Sequence, residues 1–130
     1  MKANELMIGD LVYCEGQPTP DNVIIQAIHE DGVWFQGEEF EGAASYDRIF
    51  PIHLTPEILE KNGWFYPKQS SWMKLDNPHR ELWGCIHTDG TLWLYSSGDC
   101  DKDESFAEIK YVHELQHTLH ICGIEKTIEL

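Results

Sequence analysis

A chain of 130 residues has room for one hydrophobic core, and its 42% apolar content, with five Trp, five Tyr and five Phe, excludes a disordered tail. Nine basic residues against 23 acidic ones give a formal net charge of −14, which repels phosphate backbones and anionic membranes and disfavours direct nucleic-acid binding. Such a charge fits plain solubility, a basic partner, or imitation of a nucleic acid. The opening MKANELMIGDLVY lacks the basic and apolar regions of a secretory signal, and no apolar run reaches bilayer length. A cytoplasmic protein without membrane attachment is therefore expected. Cys14, Cys85, Cys100 and Cys122 lie far apart with no C-x-x-C pair, which fits reduced thiols better than a disulfide framework or a zinc knuckle.

In chain order, DLVYC (10–14) and VIIQAIHE (23–30) read as strands because they are rich in β-branched and aromatic residues. The loop EGQPTPDN, with two prolines, separates them. EDG (30–32) reads as a tight turn into VWFQG, its glycine taken to supply positive φ. Three such strands predict a small curled antiparallel sheet, SH3-like in its N-terminal part. LTPEILEKNG (54–63) predicts a short helix: Thr55 as N-cap, Pro56 at the first helical position, Asn62-Gly63 as the stop. Ile58 and Leu59 would face the sheet. The polar KQSS stretch reads as a strand edge or a loop. ELWGCIHTDGTLWLYS (81–96) predicts a hairpin turning at Asp89-Gly90, apolar on both faces and so central in its sheet. A C-terminal helix near 110–122 follows, and EKTIEL is expected to close the chain as a last strand. The whole reads as one α+β domain over 1–130, with both helices packed on the sheet.

The C-terminal helix carries the one motif with direct chemical meaning. VHELQHTLHICG contains His113-Glu114-Leu115-Gln116-His117, an H-E-x-x-H, the zinc-binding helix of many metalloproteases with the glutamate as general base. At about 100° per residue, Val112, Leu115, Leu119 and Cys122 fall within roughly 80° and form the core-facing stripe. His113, His117 and His120 fall within about 60° on the opposite side and are expected to face solvent. His113 and His120 stand about 10.5 Å apart along the axis, too far to share one ion. A zinc hydrolase built on His113 and His117 is thus the outlying alternative, and a third ligand would have to come from elsewhere.

Asp99-x-Asp101-x-Asp103 resembles the start of an EF-hand calcium loop. Glu104 and Lys110, however, stand where that loop needs Gly and Glu, so a solvated acidic loop is expected. Cys85 and His87 alternate on one strand without a third orienting group, which fits packing better than nucleophilic catalysis. There is no G-x-S-x-G, Walker or G-x-G-x-x-G pattern. No catalytic residue, cofactor or resident metal is expected. The metal-ligating candidates are His113, His117, His120, Asp99, Asp101 and Asp103. Five tryptophans leave room for an exposed aromatic anchor beyond the core.

Three segments resemble one family. MKANELMIGDLVY, IFPIHLTPEILEKNGW and IKYVHELQHTLHICG are similar to the start, middle and tail of a family of small proteins of gut Bacteroidetes, their phages and mobile elements. The resemblance spans nearly the whole chain and brings no activity, ligand or catalytic residue with it. It implies Gln at the position of Glu114 and Asn at that of His117, neither of which serves zinc hydrolysis. It also implies a hydrogen-bonding role for the matched His113 and Gln116. The expectation is a non-enzymatic accessory protein that binds another macromolecule, such as a counter-defence inhibitor of a host protein with a basic surface. The alternative is a protein that binds or sequesters a nucleotide.

Overall fold

Apolar residues at alternate positions build an antiparallel sheet from the first part of the chain. The computed structural model describes residues 1–16, 21–67, 70–78, 80–96 and 104–130. The sheet has five strands: β1 (Leu11–Cys14), β2 (Asp21–Ile28), β3 (Gly32–Gln36), β4 (Glu41–Ser45) and β5 (Ile49–Phe50). Their order is β4-β3-β2-β1-β5, all antiparallel. A four-strand meander and a 3-10 turn at Tyr46–Arg48 that returns β5 beside β1 make up the connectivity of SH3-like small barrels. Inward-facing Val12, Cys14, Val23, Ile25, Val33, Phe35, Ala44 and Ile49 form the core with Leu6. A bulge between Ile25 and Ala27 adds a residue to β2 and bends it.

Gly32 corrects the sequence reading of its turn. Its φ is not positive; instead, a Cβ there would stand 2.1 Å from the Ala44 carbonyl oxygen on β4. Strand approach, not turn chirality, requires glycine at this position.

The chain divides into two compact units. The first is Met1–Ile52 with Tyr111–His117; the second is His53–Lys110 with Thr118–Leu130. The second unit has a five-stranded sheet of its own, where the sequence suggested one sheet only. It comprises β6 (Trp64–Phe65), β7 (Met73–Leu75), β8 (Trp83–Ile86), β9 (Leu92–Tyr95) and β10 (Ala107–Ile109), each paired with its neighbour in the chain. The β8–β9 hairpin is central, as its two-sided apolar pattern predicts. At its turn Gly90 has φ +86°, and the Asp89 carboxylate accepts from the Thr91 N–H at 3.0 Å.

Two helices complete the α+β fold. In α1 (Pro56–Lys61) the Thr55 hydroxyl accepts from the Ile58 N–H at 3.2 Å, Pro56 opens the helix and Leu59 is buried. Gly63, with φ +91°, lets the chain leave. The second helix, α2, is Val112–Ile121. Val112, Leu115 and Leu119 are buried as the stripe predicts, while Cys122, past the last turn, is half-buried. No helix among the described residues is long and apolar enough to cross a membrane. Cys14, Cys85 and Cys122 are free thiols. The proline loop at 17–20, Lys68–Gln69 of the KQSS stretch, and Cys100 lie outside the described residues.

EKTIEL does not form a strand. Residues 124–130 carry no ladder pairing; Ile124 and Ile128 are buried, and a side chain holds the backbone just beyond Ile128. The buried Asn62 carboxamide donates to the Glu129 carbonyl at 2.6 Å and to the Ile58 carbonyl at 2.7 Å, and accepts from the Glu129 N–H at 2.7 Å. Asn62→Ala strands these groups at a buried site and is expected to lower stability by about 2–3 kcal/mol. Urea denaturation checks this; a loss below about 0.5 kcal/mol would show the tail to be held by Ile124 and Ile128 alone.

Candidate functional site

The H-E-x-x-H residues open α2, and the first unit contains all of them. Each polar group has a local task. Glu114 stands at the third helical position, where its carboxylate accepts from the Tyr111 N–H at 3.0 Å. That is half of a capping box: the motif's would-be general base satisfies one of its own helix's orphan donors. Gln116 uses both ends of its carboxamide on the backbone where the chain enters β1, accepting from the Leu11 N–H at 2.8 Å and donating to the Gly9 carbonyl at 3.1 Å.

His117 meets a buried carboxylate. Its Nε2 lies 2.8 Å and 2.9 Å from the two oxygens of Asp10, which is only 2% exposed. A carboxylate accepts, so Nε2 carries the proton and offers no lone pair to a metal. Asp10 also accepts from the Met7 N–H at 2.8 Å. The Asp10 N–H closes a turn on the Met7 carbonyl at 3.1 Å, with Gly9 at φ +96° in the position that needs it.

His113 overturns the expectation of a solvent-facing histidine row. It is 6% exposed, stacked on Tyr111 with centroids 5.9 Å apart and edge-on to His117 at 5.5 Å, and its Nδ1 is buried without a hydrogen-bond partner. His117 is partly covered and His120 is exposed. The Tyr111 and His117 rings pack on His113, and the bonds of the Gly9–Leu11 segment to Gln116 and His117 lay that segment along the start of the helix. The three histidines therefore do not share one environment. Among the described residues no group of three or more His, Cys, Asp or Glu side chains is arranged to hold a metal ion. Asp99, Asp101 and Asp103 lie outside the described residues. Of the two side chains for which a hydrogen-bonding role was implied, Gln116 has one, whereas His113 packs.

A second surface was not singled out by the sequence. On the outer face of the first sheet, register aligns Phe50 with Tyr13 and Tyr13 with Asn22, then Leu11 with Ile24, Ile24 with Gln36 and Gln36 with Glu41. Trp34, two residues before Gln36, faces Ala43 across the β3–β4 ladder. Trp34, Ile24 and Phe50 are 45%, 38% and 42% exposed. The signal was present in the alternation: Val33 and Phe35 face inward, which turns Trp34 outward. The second unit holds a cavity of about 500 Å³ lined by Arg80, Leu82, Ser96, Phe106, Ile121 and Cys122.

Charge is uneven between the units. The first has eleven acidic residues against Lys2 and Arg48, a net −9, and the second has twelve against seven, a net −5.

Compared with known protein families, with curated proteins and with solved structures, the chain matches none.

Burial pushes the His113 pKa below its ordinary value; Asp10 opposes the shift, His117 adds to it, and Glu114 and Glu5 oppose it. With the folded pKa lowered, the unfolded chain takes up the proton first. The His113 contribution is intact above about pH 6.5 and is lost as pH falls from there through the folded value. Urea midpoints are expected to decline from about pH 7 to about pH 5. His113→Phe, which removes the titrating ring, should reduce that slope; an unchanged slope would assign the acid sensitivity to other groups.

Proposed function

We propose that this protein is a non-enzymatic, cytoplasmic accessory protein that acts by binding another protein through its acidic first unit. The partner presents a basic surface. The observation that carries the reading is the net −9 of that unit, with two basic residues against eleven acidic ones. A field of one sign over a small domain attracts cationic surfaces and repels nucleic acid. Its exposed Trp34, Ile24 and Phe50 add the apolar contact that a charge field lacks. The tasks of Glu114 and His117 also favour this reading over hydrolysis, since helix capping and a hydrogen bond to the buried Asp10 carboxylate hold both in place.

The resemblance of three segments to proteins of Bacteroidetes phages and mobile elements favours that setting, and inhibition of a host defence protein is the role we propose there. A basic, nucleic-acid-binding face of such a protein is the natural target for an acidic domain. Nucleotide binding is the second reading, favoured by the cavity in the second unit, where Arg80 and Phe106 supply a cation and a ring. A thermal shift with nucleoside mono- and diphosphates that is lost in Arg80→Ala would favour it.

The main reading is tested by affinity capture from a Bacteroidetes lysate with the full chain as bait. A basic protein should be retained at low salt and released at about 1 M salt, where the Debye length falls to about 3 Å. Capture that survives that salt sinks the electrostatic reading, and no capture sinks the binding reading. Metal analysis of tag-free protein is expected to show no stoichiometric zinc; one equivalent of zinc lost in His117→Ala would restore the hydrolase alternative.

A further inference from the structure

We propose that the outer face of the first sheet is the docking surface for that partner, and that it seats an arginine or lysine of a basic segment on the Trp34 ring beside Glu41. The inference rests on the protein-binding reading and names its surface and its anchor.

The second unit shows what a tryptophan on a sheet face does in this chain. Trp83 on β8 pairs across the ladder with Lys74 on β7, whose ammonium lies over its ring 5.5 Å from the centroid. Glu81 accepts from the Trp83 indole N–H. Ring, cation and carboxylate are all supplied internally. Trp34 has the ring and the carboxylate but different neighbours: its cross-strand partners are Ala27 on β2 and Ala43 on β4, both too short to cover the indole. Glu41 pairs with Gln36, two positions along both strands, which makes it the diagonal neighbour of Trp34. Diagonal side chains lie about 7–8 Å apart at the backbone, within reach of one long side chain placed between them. Among the described residues no cation lies over Trp34. A guanidinium or ammonium from outside would gain the ring face and a carboxylate together.

The surroundings fit a protein segment and exclude the other occupants. Ile24, Leu11, Tyr13 and Phe50 continue the face as one register-aligned apolar band, flanked by Asn22 and Gln36 without a charge inside it. A second copy of this chain would bring another net −9 to the contact, and nucleic acid would bring phosphates; both are repelled. A basic segment that alternates cationic and aliphatic side chains complements both the ring and the band.

The test is a titration of the full chain, followed by backbone and indole NMR, with an octapeptide of alternating arginine and valine; the glutamate–valine counterpart is the control. Shifts are expected at the Trp34 indole N–H and at Leu11, Tyr13, Ile24 and Phe50, with none for the control peptide. Trp34→Ala should weaken binding about tenfold, an effect of the order of one cation–π contact with its packing. Glu41→Gln should weaken it about threefold and reduce its salt dependence. Phe65→Ala, an exposed aromatic of the second unit, should leave it unchanged. Absence of binding, shifts confined to other surfaces, or an unaltered Trp34→Ala affinity overturns the proposal. Trp34 is exposed, so urea midpoints of the variant should match the parent and separate lost binding from lost fold. If lysate capture succeeds equally with Trp34→Ala, the surface is wrong and the binding function stands; if the intact chain captures nothing, the function is wrong.

Discussion

Asp10 is the constraint on which the first unit depends. A carboxylate 2% exposed is tolerated only with its charge met, and three structural elements meet around this residue. Its side chain takes the Met7 N–H and the His117 ring, its N–H closes the Met7 turn, and its carbonyl accepts from the Ile25 N–H of β2 at 3.0 Å. One residue thus joins the lead-in to β1, the neighbouring strand and the start of α2, sites 15 and 107 positions away in sequence. Once that carboxylate is paired, Gln116 can reach Gly9 and Leu11, and His113 is covered.

Carboxamides carry the next tier of organisation in both units. Gln116 and Asn62 each present one donor and one acceptor to the backbone of a distant segment, the pattern a strand edge would offer. Side chains thereby fix backbone at the margins of the ladders: the entry to β1 in one case and the unpaired C-terminal tail in the other. This explains how the tail can bury Ile124 and Ile128 without joining a sheet.

What could be read in advance follows the range of the interaction. Strands β1, β2 and β3, helix α1 with its Thr55 cap and Gly63 exit, and the Asp89-Gly90 hairpin are written in local pattern, and the structure shows them near their expected places. β4 was missed because Glu41-Gly42-Ala43-Ala44-Ser45 has small side chains; it is a strand through its pairing with β3, and Gly42 is small because the Phe35 ring stands 3.0 Å from where its Cβ would be. β5, β6, β7 and β10 are only two or three residues long, below the window in which alternation is visible. The H-E-x-x-H helix was legible in its apolar stripe and illegible in its polar face. What meets Gln116 and His117 is a segment more than a hundred residues earlier, and no periodicity within the helix reports it.

The difference in net charge between the units, −9 against −5, also has a kinetic meaning for the proposed complex. The stronger field of the first unit would act on a cationic partner before contact and raise the rate of encounter, an effect that salt removes. The apolar band of Leu11, Tyr13, Ile24 and Phe50 has no reach beyond contact and would act on residence time. Speed of arrival and length of stay would then fall to different side chains of the same unit. Sequence drift could change one and leave the other as it was.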